Sequence, residues 1–214
     1  MEFPQRLLDG YRGFRANRLP VEQSRYRELA ESGQQPETMV IGCCDSRVSP
    51  EVIFDARPGE LFVVRNVANL VPPYAPTGSM HGVSAAIEFA VQALGVKHIV
   101  VLGHACCGGI RAFAEQDVPL SPGGFIAEWI SLISPAAEAV GARGDRPLDD
   151  YLRELEQASI LRTLENLMTF PFVRSAVDRR RLFLHAAWFD VATGQMSVCD
   201  PRTRTFAPTD GSDL

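Results

Sequence analysis

Three short runs stand out along the chain because their interiors are apolar without interruption: 38–42 (TMVIG), 60–65 (ELFVVR) and 98–102 (HIVVL). Strands that carry no polar alternation belong in a parallel sheet covered on both faces. Between them the spacing changes to a helical period. Residues 3–32, rich in Arg, Glu, Leu and Ala, read as helical until Gln34-Gln35-Pro36 breaks the pattern. Ser49-Pro50-Glu51 reads as a helix start, with serine as cap and proline at the first position. Residues 79–94 (SMHGVSAAIEFAVQAL) are apolar nearly all round and predict a buried helix stopped by Gly95.

Further helical patterns run over about 108–116, 124–141 and 147–177. Strands are predicted at 182–188 and 195–199, joined by Asp190-Val191-Ala192-Thr193-Gly194, a hairpin signal. Strands alternating with helices give an α/β fold. The expected architecture is a central, mostly parallel sheet with an antiparallel terminal strand, flanked by helices and preceded by an N-terminal helical arm. With 214 residues, one domain over 1–214 is expected: arm 1–33, core 34–200, tail 201–214.

Composition narrows the function. Apolar residues make up 46% and charged residues 22%, a globular mixture. The net charge of −5 argues against nucleic acid, whose phosphates want a basic surface. The first residues mix acids and bases without an apolar stretch of secretory type, and no apolar run is long enough to cross a bilayer. The expectation is a cytoplasmic protein without a membrane partner. Five cysteines, Cys43, Cys44, Cys106, Cys107 and Cys199, make a poor disulfide framework in that setting and a better source of metal ligands or nucleophiles.

Two of the strands run into cysteine-bearing loops, IGCCDSR (41–47) and GHACCGG (103–109). Ligands bind beyond the carboxyl ends of strands in an open parallel sheet, so the two loops should meet. His104 and Cys107, three residues apart across the start of a helix, can face one point. The helix N-terminus favours a thiolate there, and Gly108 and Gly109 relieve crowding where the backbone turns. With Cys43 the set becomes two thiolates and one imidazole, which suits zinc and leaves a fourth position for water. Cys44, Cys106 and Cys199 read as structural. A phosphate-cradling loop is the competing reading, but the dinucleotide and P-loop glycine spacings are absent. A disulfide between neighbouring cysteines is awkward, because adjacent Cα atoms lie closer than a disulfide prefers.

The pair CxDSR and HxxCGG resembles the β-class carbonic anhydrases. GELFVVRNVANLVPPY (59–74), AAIEFAV (85–91), HIVVLGHACCGG (98–109) and LENLMTFPFVR (164–174) are similar to the plant-type branch, and the likeness spans about residues 30–200. The resemblance implies one zinc ion per subunit on Cys43, His104 and Cys107. It implies an Asp45–Arg47 pair beside the ion, and a substrate pocket formed by Gln34, Phe62, Val67, Phe89 and Gly108, with Phe89 where that branch often has tyrosine. The implied reaction is reversible hydration of carbon dioxide to bicarbonate and a proton by zinc-bound hydroxide. Asp45 would orient the nucleophile and Arg47 would fix Asp45.

The resemblance also implies a homodimer or a multiple of dimers, with Gln34, Phe62 or Phe89 serving the neighbour's site. Hydrolysis of carbonyl sulfide or carbon disulfide on the same scaffold, and a non-enzymatic zinc or redox module, remain alternatives. The proton shuttle is left open among Asp45, buffer and His81. His81 reads as a helix-surface residue, and His98 and His185 as structural strand residues.

Overall fold

The computed structural model describes residues 3–77, 81–115 and 123–209. The N-terminal arm is a helix, α1 (Gln5–Gly13), that passes through a π-turn at Phe14–Arg18 into α2 (Leu19–Ser32). Gly33, with φ 78°, ends it. The core follows as β1 (Thr38–Cys43), α3 (Pro50–Ile53), β2 (Leu61–Asn66), α4 (Gly82–Glu88) with a π-turn continuation over Phe89–Leu94, and β3 (His98–His104). Then come α5 (Gly108–Glu115), α6 (Phe125–Ile130), α7 (Ser134–Val140), α8 (Leu148–Leu167), α9 (Pro171–Asp178), β4 (Phe183–Phe189), β5 (Met196–Asp200) and β6 (Thr205–Thr209). Parts of the expected elements, at 79–80, 116 and 210–214, lie outside the described residues.

The sheet order is β2-β1-β3-β4-β5-β6. β1 pairs in parallel with β2 and β3, β3 in parallel with β4, and β5 and β6 close the edge antiparallel. The α/β expectation with a mostly parallel sheet therefore holds. Alternation along the strands sorts the core into two faces. Met39 and Ile41 of β1, with Ile99 and Val101 of β3, pack with Ile160 and Leu167 of α8. Val40 and Leu102 point the other way, against Ile53 and Phe54. Among the described residues no helix is long and apolar enough to cross a membrane.

The local expectations fail in four places. The helical stretch 124–141 is broken into α6, a 3-10 turn at Ser131–Ile133 and α7, and 147–177 is broken between α8 and α9. Proline explains both breaks, since Pro135 and Pro171 each sit in the first turn of a new helix. The stretch expected as tail forms β6, an edge strand whose Pro208 needs no ladder hydrogen bond of its own. The helix expected to be buried is not: only Ile87 and Ala90 of its described residues are buried, and Phe89 is 49% exposed. Among its described residues the arm likewise buries no side chain, and it leaves Leu7, Tyr11, Val21 and Tyr26 exposed.

Candidate metal centre

β1 and β3 are neighbours in register, with Gly42 opposite Leu102, so their carboxyl ends deliver Cys43 and His104 to one place. Ligand atoms of Cys43, His104 and Cys107 lie within 4.8 Å of one another, and all three residues are buried. His104 and Cys107 straddle a tight turn between β3 and α5, rather than the first turn of the helix as expected. The left-handed residue that makes this turn is Cys106, φ 57°, not a glycine. Gly109 serves a different need: a Cβ there would lie 2.9 Å from Val67 Cγ1. Gly108 faces open space.

The donor chemistry fits a divalent ion of borderline softness such as zinc. The His104 Nδ1–H donates to the Ala105 carbonyl at 2.8 Å, which leaves Nε2 as the free lone pair. That nitrogen is buried without a hydrogen-bond partner, an arrangement that costs free energy unless something binds there. The Cys107 hydrogen bond brings the Cys43 thiol down to about 4, helped by the backbone N–H groups of Asp45 and Ala68. The same hydrogen bond, then burial, pushes the Cys107 thiol up, against the N–H groups of Gly109 and Ile110 at the start of α5. Burial pulls the His104 imidazole down, but the adjacent Cys43 sulfur and the Ala105 carbonyl leave it above its ordinary value.

Beside this cluster, Asp45 is held on three sides by one residue. Its Oδ1 accepts from the Arg47 backbone N–H at 3.0 Å and from Nε at 2.9 Å, and its Oδ2 accepts from Nη2 at 2.7 Å. The Arg47 guanidinium holds the Asp45 carboxyl well below the usual carboxylate range, and Asp45 in turn raises Arg47. Arg47 Nη2 also donates to the Cys106 carbonyl at 3.0 Å, tying the first loop to the second. Cys43 is buried and Cys44 is exposed, so the pair diverges as strand alternation requires.

The residues expected to form the pocket divide into two groups. Val67 packs against the apolar cluster that holds Cys43 and Cys107, and its Cγ1 lies against Gly109. Phe62 and Phe89 lie together, ring centroids 5.9 Å apart, but at the opposite end of the strands. Phe62 pairs with Met39, while Cys43 pairs with Asn66 four residues on, about 13 Å along the strand. Gln34 precedes β1 and is exposed at that same far end. Within one chain these three residues do not reach the cluster. His81 is exposed ahead of α4, and His98 is bound to His185, Nδ1 to Nε2 at 3.1 Å.

Sequence reasoning missed two residues that hold the site. Arg65, at the end of β2, donates from Nε to the Cys43 carbonyl at 2.8 Å and from Nη2 to the carbonyls of Asp45 and Val48, each at 2.7 Å. A charge at the end of an apolar strand was the available signal. Glu156 of α8 accepts the Cys107 backbone N–H at 3.0 Å, and its signal was an acid inside a buried helical stripe.

The sequence profile of the carbonic anhydrase family matches residues 38–196. Beta carbonic anhydrase 3 of Arabidopsis thaliana is 36% identical over 197 residues, covering 91% of this chain and 76% of the plant protein. The solved β-carbonic anhydrase CcaA superposes with a TM-score of 0.89 at 28% identity, covering 97% of this chain and 92% of that one. One of two tetrameric β-carbonic anhydrases from the ascomycete Sordaria macrospora superposes with a TM-score of 0.79 at 30% identity, covering 91% and 95% of the two chains. A cysteine–histidine–cysteine cluster suited to zinc, on a sheet shared with these enzymes and under a family match over most of the chain, places this protein in the β-carbonic anhydrase family of carbonate dehydratases.

Proposed function

We propose that the protein catalyses the reversible hydration of carbon dioxide to bicarbonate and a proton at one zinc ion per chain, held by Cys43, His104 and Cys107. The observation that carries the reading is the buried, partnerless Nε2 of His104 among two sulfurs, with a fully engaged Asp45–Arg47 pair beside it. The ion supplies Lewis-acid chemistry that makes water acidic enough to serve as a nucleophile.

The chain supplies the rest. Asp45 accepts a hydrogen bond from the attacking oxygen and aims its lone pair at the carbon. Arg47 keeps that carboxylate ionised and turned away from the three ligands. Val67 walls the site against bulk water on the side where it packs against the apolar cluster that holds Cys43 and Cys107.

Gln34, Phe62 and Phe89 complete the pocket from a second copy. They stand at the far end of their own strands, and Phe89 and the arm leave apolar side chains exposed that a neighbour would cover. The tetrameric Sordaria macrospora enzymes support assembly from dimers. Activity should rise toward alkaline pH, because the Cys43 and Cys107 thiolates would donate more charge to a bound zinc than imidazoles would, and so would make it a weaker acidifier of water.

The test is Asp45→Asn with metal content and stopped-flow hydration measured together. Retained zinc with collapsed hydration supports the reading. Hydration that survives the substitution overturns the role of Asp45.

A further inference from the structure

Among the described residues Glu156 is the only buried carboxylate, 4% exposed, and nothing in the hydration chemistry uses it. It lies on the buried stripe of α8, one residue beyond Leu155, which belongs to the apolar cluster that also holds Cys43 and Cys107. Its Oε1 accepts the backbone N–H of Cys107 at 3.0 Å, and its Oε2 accepts Nε1–H of Trp188 at 3.0 Å. Both partners are donors, so both carboxylate oxygens are committed as acceptors.

The rest of the turn that carries two ligands is tethered in the same way. The Ala105 N–H donates to the Phe189 carbonyl at 2.9 Å. The Ala105 carbonyl accepts from the His104 ring, and the Cys106 carbonyl accepts from Arg47. At the ligand itself the Cys107 carbonyl accepts the Arg111 N–H at 2.9 Å, and Glu156 accepts the Cys107 N–H. Zinc tolerates sulfur distances only within about 0.2 Å of 2.3 Å, so the placement of this backbone decides whether the sulfur arrives.

We propose that Glu156 is a positioning residue for the metal centre: by accepting the Cys107 N–H it sets the turn that aims the Cys107 sulfur at the ion. Burial lifts the Glu156 carboxyl above its ordinary value against the pull of its two N–H partners, a cost the fold carries at this position. The inference rests on the assignment of Cys43, His104 and Cys107 as metal ligands.

The test is cobalt(II) affinity, read from the thiolate-to-cobalt and d–d absorbance of the purified protein. Three chains are compared: wild type, Glu156→Leu, and Glu156→Gln with Trp188→Phe. Leucine removes both acceptors at nearly constant volume. The double variant keeps an amide oxygen for Cys107 N–H and removes the indole donor that the amide NH2 would otherwise face. The position of residue 188 beside a cleft of about 210 Å3 leaves room for water there.

Glu156→Leu is expected to weaken cobalt binding about 10–100-fold, and the double variant to recover the wild-type affinity. A glutamate that only stabilised the fold would lower the melting temperature and leave the cobalt affinity unchanged, which would overturn the proposal. A double variant as weak as Glu156→Leu would overturn it too. If Glu156→Leu does not fold, the double variant decides alone: near-wild-type affinity supports the role, and weak binding or failure to fold refutes it. Wild-type protein that binds no cobalt would instead remove the metal reading itself.

Discussion

Arg47→Lys separates the geometry of the site from its charge. Arginine spans both Asp45 oxygens, Nε to Oδ1 at 2.9 Å and Nη2 to Oδ2 at 2.7 Å, and still reaches the Cys106 carbonyl at 3.0 Å. A lysine ammonium keeps the charge but cannot make that fork, so it retains one of these contacts and loses the other two. Charge-assisted bonds are worth about 1.5–3 kcal/mol each when shielded. The Arg47 side chain is 49% exposed, however, and water replaces much of what is lost. The net stability cost should therefore be small and the melting temperature nearly unchanged.

The cost to turnover is larger, because a displacement of about 1 Å in a positioned group costs about 100-fold in rate, or roughly 2.7 kcal/mol of barrier. Stopped-flow hydration with a pH indicator, zinc analysis and a thermal melt on the same preparation decide the matter. The expected result is a kcat lower by about 100-fold with zinc near one equivalent and a nearly unchanged melting temperature. A fully loaded Arg47→Lys protein with wild-type kcat would refute the claim that Arg47 acts by holding Asp45.

Three further outcomes follow from the same structure. Gly103→Ala places a Cβ 2.5 Å from Ile160 Cδ1 between β3 and α8, and should cost about 1–3 kcal/mol in a denaturant melt, partly restored by Ile160→Val. Desolvation and the neighbouring His98 hold His185 below its ordinary 6.5. The unfolded chain therefore takes up a proton that the folded imidazole refuses, and stability falls as pH drops below 6.5; melting temperatures across that range should show the slope flattened in His185→Gln. Phe89→Asp puts a charge on the exposed Phe62–Phe89 surface, and should weaken the proposed association of two copies by about 30-fold or more in sedimentation without changing the metal content per chain.

What the sequence made legible, and what it hid, has a physical basis. The three apolar strand runs and the two cysteine loops at their ends were readable because a doubly covered parallel strand leaves no polar alternation, and because metal donors are rare residue types. The exposure of 81–94 was not readable. An apolar helix face looks the same whether its own core or a second copy covers it, and Phe89 stands on that face. For the same reason Gln34 and Phe62 were identifiable by likeness, but their distance from Cys43 emerged only from the register of β1 and β2. β6 was hidden because its sequence, TFAPT, has little alternation and holds a proline that only an edge strand tolerates. Glu156 was hidden among the acids of α8. Its spacing, four residues from both Leu152 and Ile160, places it in the buried stripe, and that spacing is the signal to weigh in such a helix.

The central claim is that donors from two strand ends grip one divalent ion and leave a position open. X-ray absorption at the zinc edge of the purified protein, with metal quantified in the same sample, tests it most directly. One zinc per chain with two sulfurs near about 2.3 Å, one imidazole nitrogen and one further light atom is the expected shell. A shell without sulfur, or a chain that purifies folded and catalytically active with no bound metal, would contradict it.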